Sequence, residues 1–212
     1  MIVTVSFTKF KTTQKDTIKE INESNADYLH IDLFDGKFVD NIQQLPTELK
    51  KILGINKKPL DVHLMAVDPL KYLDFFANQN TEYFTFHYEA VKNIDLVIEQ
   101  IRATGLKIGL AIMLETKVKD IEPYLDAFDQ ILVMSVGGGA GGEPFNEIAL
   151  EKITELKALK ELNNYRYLIN VDGGINEETV TAVKAAGTDM VVSGSYVCLS
   201  ENMNEAIDIL KQ

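Results

Sequence analysis

The sequence predicts an α/β protein with one compact domain, a closed (β/α)8 (TIM) barrel that spans residues 1–212. Short apolar, β-branched segments alternate strictly with amphipathic segments, which is typical of a parallel sheet with helical crossovers. Eight such pairs fit into 212 residues without a Ser-, Pro- or Gly-rich linker, as in a compact barrel with few insertions. A doubly wound open sheet is the competing architecture, but it normally uses fewer strands.

The strands are predicted from short runs of Val, Ile, Leu and aromatic residues that end in turn-forming residues. They lie near residues 2–6, 28–34, 59–65, 82–87, 106–113, 129–136, 167–172 and 189–194. The helices are predicted from apolar residues at helical spacing, such as Ile18 and Ile21 after Thr13. They lie near residues 13–24, 46–53, 69–79, 93–104, 117–127, 146–163, 177–187 and 203–211.

Local signals mark several helix ends. Asp68-Pro69 and Asn176-Glu177 are typical helix starts, because a side-chain cap precedes a residue favoured in the first turn. Gly105 and Gly187 follow predicted helices, at positions where a left-handed residue is favoured. These signals keep the helices short and so support the alternation.

The composition restricts the classes of function. The chain has 21 Lys and Arg against 32 Asp and Glu, a net charge of −11, which argues against binding to nucleic acid or to an anionic membrane. The single cysteine, Cys198, excludes an internal disulfide and a cysteine-based zinc cluster. No apolar run reaches the length of a membrane span, and the first residues lack a signal-peptide pattern. We therefore expect a cytoplasmic protein.

Polar side chains interrupt the predicted strand near 28–34. His30, Asp32 and Phe34 occupy alternate positions and share one face, while the opposite face is apolar. In a barrel the apolar face meets the helices, so His30 and Asp32 are expected in the lumen near the C-terminal end, where barrel active sites form. A buried carboxylate needs a metal or a cationic partner. A purely structural His–Asp hydrogen bond is the alternative.

Two further strands repeat this arrangement. His63 shares a face with Asp61 and Met65, and Asp172 ends the strand near 167–172. We expect Asp32 and Asp172 to face each other across the lumen. Two His and two Asp residues form a mixed nitrogen and oxygen set that suits Zn, Fe(II), Mn or Co. A turn-forming role before Gly173-Gly174 is the alternative for Asp172.

Glycine-rich loops follow the last three predicted strands. They are VGGGAGGEPF with Gly137 to Gly142, then Gly173-Gly174, then Gly194-Ser195. The G-x-G-x-x-G match in the first loop follows the sixth strand, so a dinucleotide site is rejected. Exposed backbone N–H groups in such loops favour an anion, and loops after the seventh and eighth strands form the usual phosphate site of these barrels. The loops predict a phosphorylated substrate, with tight turns as the alternative.

Other residues are expected to be structural. Met65, Met113 and Met134 are predicted to point inward and pack the pocket floor. His87 and Glu89 belong either to the core or to a second layer around the site.

Several motifs, in order over nearly the whole chain, resemble the ribulose-phosphate 3-epimerase family, including its allulose-6-phosphate 3-epimerase relatives. They are ADYLHIDLFDGKFVDN, PLDVHLM, FTFHYEA, GLKIGLAI, LVMSVGGGAGGEPF, VDGGINEETV and AAGTDMVVSGS. The resemblance implies a (β/α)8 barrel that inverts C3 of a ketose phosphate, most simply D-ribulose 5-phosphate, in a homo-oligomer.

The resemblance also implies roles for individual residues. His30, Asp32, His63 and Asp172 match the ligands of one divalent metal ion, most simply zinc, and Asp32 and Asp172 match the two acid/base carboxylates. The residues that match the substrate and phosphate site are Met65, Met134, Gly141, Gly142, Gly173, Gly174, Gly194 and Ser195, and Thr4 is expected to replace a family Ser hydroxyl at this site.

The chain departs from the family pattern around the pocket while it keeps the four ligand positions. The departures are Val3-Thr4, Phe34, Lys37, Asp40, Met113-Leu114-Glu115 and Gly137-Gly138. They leave three alternatives open: a hexulose-phosphate 3-epimerase, a silent sugar-phosphate-binding barrel, and another phosphate-binding barrel such as a lyase or decarboxylase. The last class typically places a Lys inside the barrel, and no inward strand position identified from the sequence carries one.

Overall fold

A computed structural model describes residues 1–40, 42–43, 46–137 and 144–212 of the chain. Within these residues the strands are β1 (Ile2–Ser6), β2 (Tyr28–Asp35), β3 (Ile42–Gln43), β4 (Leu60–Met65), β5 (Thr81–His87), β6 (Lys107–Ile112), β7 (Gln130–Met134), β8 (Leu168–Asp172) and β9 (Met190–Ser193). The α-helices are α1 (Gln14–Glu23), α2 (Pro46–Leu53), α3 (Leu73–Ala77), α4 (Ile94–Arg102), α5 (Val118–Ile121), α6 (Ile148–Asn163), α7 (Val180–Ala186), α8 (Ser195–Cys198) and α9 (Met203–Lys211). 3-10 turns cover Pro69–Tyr72, Tyr88–Ala90 and Glu122–Ala127.

The described strands close into a parallel barrel, which confirms the predicted fold class. The order around the sheet is β1-β9-β8-β7-β6-β5-β4-β2. Because β1 also pairs with β2, these eight strands form a closed ring. The short β3 adds an antiparallel ribbon to the end of β2, with Phe34 opposite Gln43. The open-sheet alternative is therefore wrong. No described helix is long and apolar enough to cross a bilayer.

Two different environments meet at the strands. One face carries Val3, Val5, Leu29, Ile31 and similar side chains, all fully buried in the main apolar cluster with the helices. The alternate positions face the lumen, where buried polar side chains accumulate. These lumen residues include Thr4, Ser6, His30, Asp32, Asp61, His63, Thr85, His87, Gln130 and Asn170.

Most predicted boundaries agree with the structure. Thr13 caps α1 by accepting the Asp16 N–H, and Gly105 and Gly187 have φ angles of 81° and 112°, the left-handed values expected after helices. The Asn176 side chain accepts the N–H groups of Glu178 and Thr179, so a capped turn precedes α7, which starts three residues later than predicted. The short α8, directly after Gly194, was not predicted, because four residues are too few for a periodic signal.

Candidate metal centre and substrate cavity

Four side chains converge at the C-terminal end of the barrel. His30 and Asp32 come from β2, His63 from β4 and Asp172 from β8. One nitrogen or oxygen atom from each lies within 4.8 Å of those from the others. The sequence predicted this grouping from the alternation of the strands.

The separations between these atoms suit a small divalent cation. From Asp32 Oδ1 it is 3.2 Å to His30 Nε2 and 3.3 Å to His63 Nδ1. From Asp172 Oδ2 it is 3.6 Å to His63 Nδ1 and 3.9 Å to His30 Nε2. Four ligands at about 2.1 Å from a tetrahedral zinc ion lie about 3.4 Å from one another, so the donor set fits such an ion in type and in spacing.

Burial and charge make this cluster strongly coupled. Burial opposes the charged form of His30, but Asp32 and Asp61 outweigh it and raise the pKa of His30 well above its usual value. Burial also acts against the charge of Asp32, yet His30 and His63 hold the Asp32 pKa far below its usual range. The pKa of His63 is raised despite its burial, by Asp172 and Asp32. The cluster therefore attracts positive charge, whether protons or a cation.

The imidazole nitrogens that face away from the cluster also have partners. His30 Nδ1 lies 2.7 Å from Asp61 Oδ2, and Asp61 Oδ1 accepts from Gln130 Nε2 at 3.2 Å. His63 Nε2 lies 2.8 Å from His87 Nε2. Ligand histidines in metal sites are typically held in this way from behind, which fixes the ring orientation. A structural His–Asp hydrogen bond, the alternative that the sequence left open, is therefore present between His30 and Asp61, in addition to the four-residue cluster.

The two carboxylates of the cluster come from well-separated strands of the barrel. Only β1 and β9 separate β2 from β8 on one side, whereas β4, β5, β6 and β7 separate them on the other. β8 is therefore three positions away from β2 around the eight-stranded ring, so Asp32 and Asp172 approach the cluster from nearly opposite walls of the lumen. The side chain of Asp172 is 18% exposed and that of Asp32 is 9% exposed, so both reach the cavity.

A cavity of about 780 Å³ opens directly above the cluster. Asp32 and Asp172 form part of its wall, and Phe34 stands beside them. Its walls also include the predicted substrate residues Met65, Met134, Gly173, Gly174, Gly194 and Ser195. Gly141 and Gly142, which were also predicted to bind phosphate, and the departure at Gly138 lie outside the described residues.

Two residues near the start of the chain differ in their position relative to the cavity. Thr4 is fully buried and is not among the described residues that line the cavity. Its hydroxyl has no hydrogen-bond partner among the described residues. Ser6, two residues further along the same strand face, lines the cavity and donates to Asp32 Oδ2 at 2.7 Å. The alternation of β1 points to Ser6 as well as Thr4, so this residue was accessible from the sequence.

Charge on the cavity wall is mostly negative. Glu147 and Glu178 join the two aspartates, and Lys9 is the one lysine or arginine among the described wall residues. Lys107 occupies a lumen-facing position that the sequence interpretation missed, but it lies at the first residue of β6, pairs with Glu82 and is half exposed. It therefore sits at the barrel end opposite to the cluster.

The three methionines that were predicted to point inward are buried to different degrees. Met65 and Met134 are 2% exposed, and Met113 packs partly buried against Ala111, Leu132, Met134 and Val192.

His87 and Glu89 form a second layer behind the cluster. Burial lowers the pKa of His87 to about 4, with Glu89 acting against the shift. Burial opposes the charge of Glu89, but hydrogen bonds from His87, Thr116 and the Met113 N–H lower its pKa to about 2.

Sequence comparisons relate the chain to known proteins. A model described as the ribulose-phosphate 3 epimerase family matches residues 3–198. The chain is 36% identical to a ribulose-phosphate 3-epimerase of Helicobacter pylori (strain J99) over 91% of this chain and 89% of that one. It is 35% identical to a ribulose-phosphate 3-epimerase of Bacillus subtilis (strain 168) over 92% and 90% of the two chains.

Solved structures share the architecture at much lower identity. A 3-hexulose-6-phosphate synthase matches with a TM-score of 0.63 and 17% identity, over 100% of this chain and 98% of that one. An orotidine 5'-phosphate decarboxylase from Pyrococcus horikoshii matches with a TM-score of 0.65 and 12% identity, over 99% and 97%. At these identities the matches show the barrel fold alone.

Proposed function

The chain belongs to the ribulose-phosphate 3-epimerase family and is an isomerase, and from this premise we propose that it converts D-ribulose 5-phosphate to D-xylulose 5-phosphate. The observation that supports the chemistry is the convergence of His30, Asp32, His63 and Asp172 under one cavity. A phosphate group would meet the loops of Gly173-Gly174 and Gly194-Ser195, together with Gly141 and Gly142. Met65 and Met134 would form the apolar walls.

The proposed reaction inverts one carbon atom through two proton transfers. The C3 proton lies next to the C2 carbonyl, so its removal leaves an enediolate. One carboxylate takes the proton on one face of C3, and the protonated partner returns a proton on the other face. Asp32 and Asp172 supply the two groups. Ser6 holds Asp32 Oδ2, the oxygen that does not face the imidazoles, and so orients it for proton transfer.

The four converging residues would hold one divalent cation, with zinc favoured and Fe(II), Mn or Co as alternatives. Such a cation supplies Lewis-acid stabilisation of the negative charge that develops on the C2 and C3 oxygens. Asp61 holds the ring plane of His30 from behind. Family membership further leads us to propose a cytoplasmic location and a homo-oligomeric state. Sedimentation of the purified protein tests the oligomeric state.

Proton exchange at C3 tests the proposed reaction directly. In deuterated buffer with zinc present, we expect the C3 proton of D-ribulose 5-phosphate to exchange and D-xylulose 5-phosphate to appear in the proton NMR spectrum. Chelation of the metal should stop both processes. A six-carbon ketose phosphate such as allulose 6-phosphate is measured in parallel, because Phe34, a departure from the family pattern, lines the cavity. Lack of exchange in every ketose phosphate would contradict the epimerase and leave the silent barrel.

The raised pKa values of His30 and His63 predict how metal affinity depends on pH. A raised pKa means that protons compete with a cation for His30 Nε2 and His63 Nδ1 at higher pH than in free imidazole. The apparent zinc affinity should therefore fall as the pH falls, and zinc binding should release protons. Calorimetry in buffers of different ionisation enthalpy measures that release; an affinity independent of pH would contradict the ligand assignment.

A further inference from the structure

Two side chains outside the four-residue cluster, the buried His87 and the partly exposed Glu89, form a chain of hydrogen bonds behind His63. Nε2 of His63 lies 2.8 Å from Nε2 of His87, which ends β5 and is fully buried. Nδ1 of His87 lies 3.2 Å from Oε2 of Glu89. The other edge of the His63 ring carries Nδ1, which faces Asp32 and Asp172. The chain thus runs from the cluster to a carboxylate at the edge of the barrel.

The protons in this chain can be placed by counting donors and acceptors. An ionised carboxylate only accepts, so Glu89 requires a proton on Nδ1 of His87. Two imidazole nitrogens 2.8 Å apart must be one donor and one acceptor. Metal binding at Nδ1 of His63 requires a lone pair there, so the single proton of this ring lies on Nε2 and is donated to Nε2 of His87. The same count leaves the His87 proton on Nδ1, where Glu89 accepts it.

The carboxylate at the end of the chain is itself held in place. Oε1 of Glu89 accepts the Met113 N–H at 2.8 Å and also the Thr116 hydroxyl. Nζ of the buried Lys152 donates to the Met113 carbonyl at 2.6 Å and to the Thr116 carbonyl. On its other face His87 packs against Phe38, with ring centroids 4.7 Å apart. Packing and hydrogen bonds thus restrict both the position and the rotation of the His87 ring.

We propose that His87 and Glu89 are positioning residues that set the tautomer and the orientation of His63 toward the divalent cation. The inference rests on the metal site proposed above and adds two residues to it. The other imidazole of the cluster, His30, has a carboxylate in direct contact, since Asp61 lies 2.7 Å from its Nδ1. The corresponding nitrogen of His63, Nε2, is linked to the carboxylate of Glu89 only through the imidazole of His87. The metal-binding tautomer of His63 therefore depends on two residues.

Zinc affinity, measured by competition with a chromophoric chelator, tests the role of His87. We expect His87→Phe to weaken zinc binding by about 10–100-fold, because the phenyl ring keeps the packing but accepts no hydrogen bond. His87→Gln offers an amide oxygen to His63 and should recover much of this loss. Tyr167→Phe is the matched control, because it removes a buried hydroxyl that donates to the Leu156 carbonyl at 2.8 Å, outside the lumen. Its zinc affinity should equal that of the wild type.

Ring-nitrogen NMR shifts of the wild-type protein test the proposed tautomer. We expect His87 to carry its proton on Nδ1 both with and without zinc, and zinc-bound His63 to carry it on Nε2. Glu89→Gln should mix the two His87 tautomers, since an amide can donate as well as accept. These two measurements decide the question even if His87→Phe does not fold.

The outcomes separate the inference from the function on which it rests. A wild-type protein that binds no zinc overturns the proposed metal site, and the inference with it. Zinc bound equally well by wild type and His87→Phe overturns the inference alone, as does a His87 ring protonated on Nε2.

Discussion

Asp172→Asn is expected to abolish epimerisation and leave the barrel folded. The amide matches the carboxylate in shape but cannot accept the C3 proton, so we expect a loss of about 10²–10⁴-fold or more in kcat. The fold should tolerate the change because the side chain is partly exposed. The backbone at this position is also held independently, since Ser135 donates to the Asp172 carbonyl at 2.8 Å.

The two-base arrangement gives this variant a specific signature. Asp32 remains in Asp172→Asn, so the C3 proton should still exchange with deuterated solvent from one of the two epimers and not from the other. The exposed Asp126, which does not line the cavity, provides the matched control Asp126→Asn with normal turnover. Zinc content is measured in each variant. Substantial epimerisation by zinc-loaded Asp172→Asn would refute the acid/base role.

Gly109→Ala is expected to destabilise the whole barrel. A Cβ atom at this lumen-facing position would lie 2.8 Å from Cβ of Thr85 on the neighbouring strand, and closer still to its hydroxyl oxygen. Neither backbone can retreat without breaking strand pairs. Overpacking of this kind costs about 1–3 kcal/mol and sometimes more. For a domain of this size, each kcal/mol lowers Tm by about 2–4 °C, which thermal unfolding measures.

The same substitution should also weaken the metal centre. The Thr85 hydroxyl accepts from Gln130 Nε2 at 3.1 Å, and the same nitrogen donates to Asp61, which holds His30. Gly54→Ala is the matched control, since its nearest neighbours would lie 3.6 Å away. Combining Gly109→Ala with Thr85→Gly restores the space, so the double variant should be more stable than the two separate losses predict. A Gly109→Ala protein as stable as the wild type would contradict this packing argument.

The fold was predictable because its determinants are local. The strands are recognised by an apolar outer face, such as Leu29, Ile31 and Leu33 in β2. The helices are recognised by apolar residues at helical spacing and, as at Thr13, by a capping side chain. The alternation then leaves a parallel sheet as the natural solution. The ribbon strand β3 and the helix α8 were missed because two and four residues carry no period.

The site was predictable only as far as strand faces determine it. Alternation assigns His30, Asp32, His63 and Asp172 to the lumen, but the height of each residue depends on the stagger between strands. Thr4 and Ser6 share a face, and only the register of Ser6 opposite His30 shows which of them reaches Asp32. Likewise, Asp61 was placed on the right face, but its contact with His30 follows from their direct pairing across β2 and β4.

The closure of the sheet between β1 and β9 has a consequence for protein synthesis. His30, Asp32 and His63 lie on the neighbouring strands β2 and β4, whereas Asp172 lies on β8, more than 100 residues later in the chain. A nascent chain therefore gains three members of the cluster early and Asp172, the second proposed acid/base group, late. If inversion at C3 uses both groups as proposed, epimerase activity depends on the joining of β8 to the early strands through β9 and β1.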